Sequence, residues 1–203
     1  KNIHGNAIFA QSTDASKWET AAKAAKDVID SNEYRLYTDN TETDPMRKAI
    51  KSYMGVYFKF WNEEIIWGRW ISNGFDWVVR ANPPRAVMTG YGGFAPSLKL
   101  VDAYPMAETG RFPVTGYLAS GYPVIDDKSG YQEEGFTENF IHPMDNWNPI
   151  KAHNSTVGRD ARFYASILAN GFNWYNRPSG EKVITFYNGG TSTYLASGDC
   201  VKS

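Results

Sequence analysis

The 203-residue chain has a single cysteine, Cys200, so no internal disulfide can close and a thiolate-built metal site is excluded. Its three histidines, His4, His142 and His153, lack the spacing of a metal-ligand set, and surface or loop hydrogen bonding is their simpler role. No apolar run approaches the roughly 18 to 20 residues of a transmembrane helix. Charge of one sign is missing too. Lys and Arg total 21 against 22 Asp and Glu, a net of −1, which gives no global field for nucleic acid or an acidic membrane. No phosphate-cradling glycine loop, dinucleotide fingerprint or nucleophile elbow occurs. Branched aliphatics are scarce: 29 Leu, Ile and Val stand against 31 Trp, Tyr and Phe. That ratio argues against a leucine-packed bundle, and rings distributed along the chain argue against disorder.

What is present begins with an amphipathic segment from Ser12 to Ser31. Trp18, Ala21, Ala22, Ala25, Val28 and Ile29 fall on one face of a helix, and Lys23, Lys26, Asp27 and Asp30 on the other. Ser16 and Glu19 have the spacing of a capping box. The small residues predict close approach by a second helix. Asp44-Pro45 reads as the N-cap and first position of a shorter helix ending near Met54-Gly55. The run WNEEIIWGRW, Trp61 to Trp70, is the most distinctive, and its β-branched and aromatic centre predicts a strand over Glu64 to Ile71. A long aromatic loop follows, marked by Asn73-Gly74, Pro83-Pro84 and Gly92-Gly93. Ser97 starts a short helix with Leu98, Val101 and Ala103 inward.

From Ala107 to Asn148 no period is convincing, and the reading is extended loop with one hairpin around Asp126 to Gly130. Between Leu100 and Ile150 two basic residues, Arg111 and Lys128, stand against eight acidic ones, a net of −6. A polyanion partner is disfavoured there. Gly158 to Gly171, GRDARFYASILANG, predicts a helix closed by its terminal glycine, and Lys182 to Tyr187 a strand.

Catalytic signals are weak. Glu63-Glu64, Asp126-Asp127 and Glu133-Glu134 are adjacent pairs, and neighbours on an extended chain point to opposite faces, so none is a ready general acid and base. Asp126 to Glu134 offers oxygen ligands for Ca²⁺ without the EF-hand order, which favours a solvated loop. Asn154-Ser155-Thr156 has the form of a glycosylation sequon.

The positive signal is aromatic. Sugars present flat C–H faces edged by hydroxyls, so proteins hold them by stacking rings on the face and aiming polar groups at the rim. Trp67, Arg69, Trp70, Phe75, Trp77, Arg80 and Tyr91, with Asp76 and Asn82 between them, bring both components together within 25 positions. For any one ring, packing in a core is the commoner fate. The cluster is more informative than its members. Trp147 and Trp174 are weaker candidates.

Four segments in order, Trp18 to Tyr37, Asn62 to Trp67, Pro96 to Met106 and Gly158 to Gly171, resemble the SusD/RagB family of nutrient-capturing surface lipoproteins. The departures are Ser97-Leu98, Pro105 and Asp160-Ala161-Arg162 at positions where the family has other residues. The resemblance implies a mainly α fold with extensive ordered loops and a few short strands, in which 1–60 ends a helical-repeat scaffold and 61–203 forms a loop-rich ligand-binding part. It also implies a fragment of a longer protein, lipid-anchored at the outer face of the outer membrane. The implied role is non-enzymatic and needs no cofactor: capture of oligosaccharide or polysaccharide and its transfer to a TonB-dependent SusC-like transporter. A RagB-type peptide receptor is the alternative, and a carbohydrate-active hydrolase the more distant one.

Overall fold

Four side chains start the helices. In the computed structural model, which describes residues 1–8, 12–69, 74, 95–144, 149–173 and 183–185, each helix opens on a short polar residue whose side-chain oxygen accepts a first-turn N–H. Asp14 caps α1 (Ala15–Asp30) through Ser16 N–H, and Asp44 caps α2 (Pro45–Phe58) through Arg47 N–H with Pro45 in the first turn. Ser97 caps α3 (Leu98–Asp102) and Asp160 caps α4 (Ala161–Ser166) in the same way. The expected capping box at Ser16 is therefore displaced by two positions. Asp14 takes the role because its carboxylate also binds the Ser16 hydroxyl at 2.7 Å.

Two antiparallel hairpins lie between α3 and α4. Strand β1 (Val114–Tyr117) pairs with β2 (Pro123–Ile125), and β3 (Phe136–Phe140) with β4 (Ile150–His153). Each pair slips register once, between Val114 and Gly116 and between Thr137 and Phe140. A bulge of this kind breaks the strict alternation by which a strand is recognised, so β1, β2 and β3 fall in the stretch read as loop, with β4 just beyond it. The segment Asp126 to Gly130 is instead a turn: Asp126 accepts the Lys128 N–H and the Arg111 guanidinium at 2.6 Å. Asn154, at the start of a 3₁₀ turn (Asn154–Thr156), ties this region together, donating to the Glu134 carbonyl and accepting from the Thr137 hydroxyl, both at 2.8 Å.

The core lies where α2, α4 and β4 meet, with Ile50, Ile150, Phe163, Tyr164 and Phe172 buried together. Beside it sits Arg159, fully buried. Its guanidinium donates to the carbonyls of Val101 (2.6 Å), Tyr104 (2.9 Å) and Ser155 (2.9 Å), and lies over the rings of Phe163 and Tyr131 at 4.7 and 5.4 Å. Desolvation holds its pKa below the usual arginine value. The charge is compensated by carbonyl dipoles and ring faces.

The helical-repeat scaffold expected from the resemblance is not the architecture observed. Four α-helices and two two-stranded sheets make up the described residues, and α3 and α4 have five and six residues. Stacked repeats bury matching stripes of neighbouring helices. Here α1 buries no residue, and Trp18 and Ile29 are 74% and 72% exposed. The expected inward face of α3 is likewise open, with Leu98 and Ala103 exposed and Val101 against the core. Residues 62–69 form turns and irregular chain, not a strand. Helix α4 stops at Ser166, before the glycine expected to close it, because Ile167 already adopts an extended conformation. Gly171 then takes a φ of 86° three residues after Leu168.

Candidate functional site

Helix α2 ends at Phe58 and leaves its last carbonyls without intrahelical donors. Asn62 reaches back to this end: its side-chain amide donates to the carbonyls of Val56 and Lys59, both at 3.1 Å, and at 3.4 Å to that of Gly55, which also accepts the Lys59 N–H at 2.9 Å, while its oxygen accepts from Glu64 N–H at 3.0 Å. The turn between them, Lys59-Phe60-Trp61, is thereby fixed by polar bonds. Trp61 sits at φ 49°.

A second segment locks the turn from the side. Arg35 N–H donates to the Glu63 carbonyl at 3.1 Å, and Tyr37 N–H to the Glu64 carboxylate at 2.9 Å. The Tyr37 ring lies directly on Gly55, where any Cβ would collide with it. Lys59 reaches over the same ring, 5.0 Å from its centroid, and its hydrogen bond with the tyrosine raises its pKa. Glu63 and Glu64, the first of the adjacent carboxylate pairs, are thus engaged by the 35–37 segment, Glu63 also facing Arg35 at 3.6 Å.

Around this turn the aromatic side chains face water. Trp67 is 80% exposed, Phe58 76%, Tyr57 71%, Phe60 63% and Trp61 51%. Phe60 and Trp61 meet edge to face, centroids 5.9 Å apart at 88°. Gly68 borders the far edge of the Trp61 indole, where an added Cβ would stand 4.0 Å from Cη2. Arg69 is exposed one residue further on. Rings, a lysine, an arginine and the Glu63 carboxylate thus share one stretch of 13 residues, 57–69. Such a surface can stack on a flat apolar face and hydrogen-bond its rim.

Of the residues chosen from sequence, Trp67 and Arg69 lie on this surface; Trp70, Phe75, Trp77, Arg80 and Tyr91 fall outside the described residues, as do Trp147 and Trp174. Tyr57, Phe58, Phe60 and Trp61 were missed. Their signal was the run YFKFW across the end of a helix whose buried positions, Ile50 and Gly55, lie further back.

A separate cavity of about 310 Å³ opens among Met106, Glu108, Ser129, Gln132, Thr137 and Asn154. Its polar walls are mostly committed to the hairpins: Asn154 bonds Gln132, Glu134 and Thr137, and Ser129 bonds Asp126 and Thr109. His142 is buried against Tyr164 and Phe172, at 5.2 and 4.7 Å between ring centroids, and His153 bonds Ser155 at 2.8 Å. No family model, curated protein or solved structure matches the chain.

Proposed function

We propose that this chain is the ligand-capturing part of a non-enzymatic glycan-binding protein of the bacterial outer surface, lipid-anchored through a segment outside the chain. It holds oligosaccharide by stacking sugar faces on Trp67 and its exposed neighbours, with Arg69 and Lys59 at the hydroxyl rim, and passes it to a TonB-dependent SusC-like transporter. The observation that carries this reading is the exposed cluster of Tyr57, Phe58, Phe60, Trp61 and Trp67 on a turn fixed by polar bonds. Exposed rings offer flat apolar faces on which a sugar face can stack. Transporter and anchor are drawn from the four-segment resemblance to SusD/RagB proteins and receive no support from the fold.

Affinity electrophoresis of the full-length protein through gels containing a panel of plant and host polysaccharides tests the reading. Retardation by at least one glycan, reversed by its free oligosaccharide, is the expected result. Failure with every glycan, together with binding of peptides, would overturn it.

A further inference from the structure

Among the described residues three non-glycine positions have φ in the left-handed region: Asn32 at 56°, Asn139 at 57° and Trp61 at 49°. Asparagine tolerates this conformation, whereas a bulky side chain there is an outlier, because its Cβ crowds the following carbonyl. Trp61 stands two residues past the C-cap Lys59, just beyond the position where helices ordinarily recruit glycine. Half of Trp61 is in water.

We infer that Trp61 is the ring that decides where and how a sugar stacks, and that Asn62 is its positioning residue; this rests on the glycan-capture reading and names the determinant within the same site. The Asn62 amide grips the carbonyls of Gly55, Val56 and Lys59 on one side of Trp61 and the Glu64 N–H on the other. The strained backbone angle is therefore over-determined, the condition under which strain persists at a working site. Phe60 meets the indole edge to face and Gly68 borders its far edge. A ring held in one orientation before binding loses little freedom when the ligand arrives. The ligand class is a pyranose-containing oligosaccharide presenting one C–H face to the indole.

The test uses the full-length protein, with affinity electrophoresis and urea unfolding run on Trp61→Gly, Trp61→Asn, Asn62→Ala and the Trp61→Gly/Asn62→Ala double variant. Glycine and asparagine both accept positive φ, so both single variants at position 61 are expected to unfold at or above the wild-type midpoint while affinity falls by about tenfold or more, the scale of a lost stacking ring. Asn62→Ala is expected to weaken binding in the wild-type background and to add nothing in the Trp61→Gly background, since Asn62 acts through the ring. Wild-type affinity in Trp61→Gly, a lowered midpoint in both position-61 variants, or an equal Asn62→Ala effect in both backgrounds would overturn the inference and leave glycan capture standing. Absence of binding by the wild-type protein overturns the capture reading itself, and the inference with it.

Discussion

Around Arg159 the rings of Phe163, Tyr164 and Phe172 are buried, each meeting others: Phe163 and Tyr164 at 5.4 Å edge to face, His142 and Phe172 at 4.7 Å, Phe140 stacked on Tyr164 at 6.2 Å. At and past the end of α2 the rings of Phe58, Phe60, Trp61 and Trp67 stay half or more in water. The side chains are of the same kind, and what differs is the thing that holds the backbone. In the first region the rings themselves are the cement, drawn in by hairpin and helix. In the second, Asn62 and the 35–37 segment fix the chain through hydrogen bonds, so the turn is held without burying its rings. A turn secured by polar bonds can keep its rings for something else.

The contrast can be broken most severely at Arg159. Replacing it by Met leaves the carbonyls of Val101, Tyr104 and Ser155 without donors, and is expected to cost about 3 to 5 kcal/mol in urea unfolding, with Lys a poor substitute because one ammonium cannot span the three. A neutral outcome would mean that the guanidinium does not clamp the core. Phe163→Ala is expected to cost about 3 kcal/mol or more, since a fully buried ring leaves a cavity. Gly55→Ala pushes a methyl into the Tyr37 ring and is expected to cost about 1 to 3 kcal/mol; an unchanged midpoint would show that Tyr37 gives way freely. Trp67→Ala sharpens the comparison from the other side. Its unfolding energy is expected to shift by at most about 0.5 kcal/mol, as at other exposed sites, while glycan retardation falls, and a large loss of stability would assign the ring to packing.

The smallest effect is electrostatic. The Arg111 hydrogen bond, followed by the Lys128 N–H, holds the Asp126 carboxyl below its ordinary value of 3.8. A depressed folded pKa contributes stability above the unfolded value, lost as pH falls through the folded one. The urea midpoint should therefore decline as pH falls below about 4, and Asp126→Asn should flatten part of that decline.

How much of this was legible in the sequence depends on the scale of the signal. Asp44-Pro45 announced α2, and the period of Trp18 to Ile29 announced α1, because capping and helical spacing are local. The same period also suggested a buried face on α1. It cannot say so, since amphipathicity records what a helix could bury and not whether a neighbour comes. Ile65-Ile66-Trp67 looked like a strand because β-branched and aromatic residues favour strands, yet the Glu64 and Ile65 N–H groups and the Glu63 carbonyl just before it were already claimed by Asn62 and Arg35. The bulged hairpins hid among glycines and prolines for want of alternation. Arg159, in GRDARF, reads as an ordinary charged residue before a helix; its burial depends on carbonyls more than 50 positions away. At the candidate site, Trp67 and Arg69 were legible as composition, whereas Trp61 required knowledge of a backbone angle.

Asn154 has one more consequence, for biosynthesis. It belongs to a sequon, but in the folded protein its amide nitrogen is committed to the Glu134 carbonyl and to Gln132 Oε1. A glycosyltransferase needs that nitrogen free. In a eukaryotic secretory host an attached sugar would replace one of the two amide hydrogens, so one of these two bonds would be lost. Use of the sequon during synthesis would then decide whether a molecule from such a host keeps both.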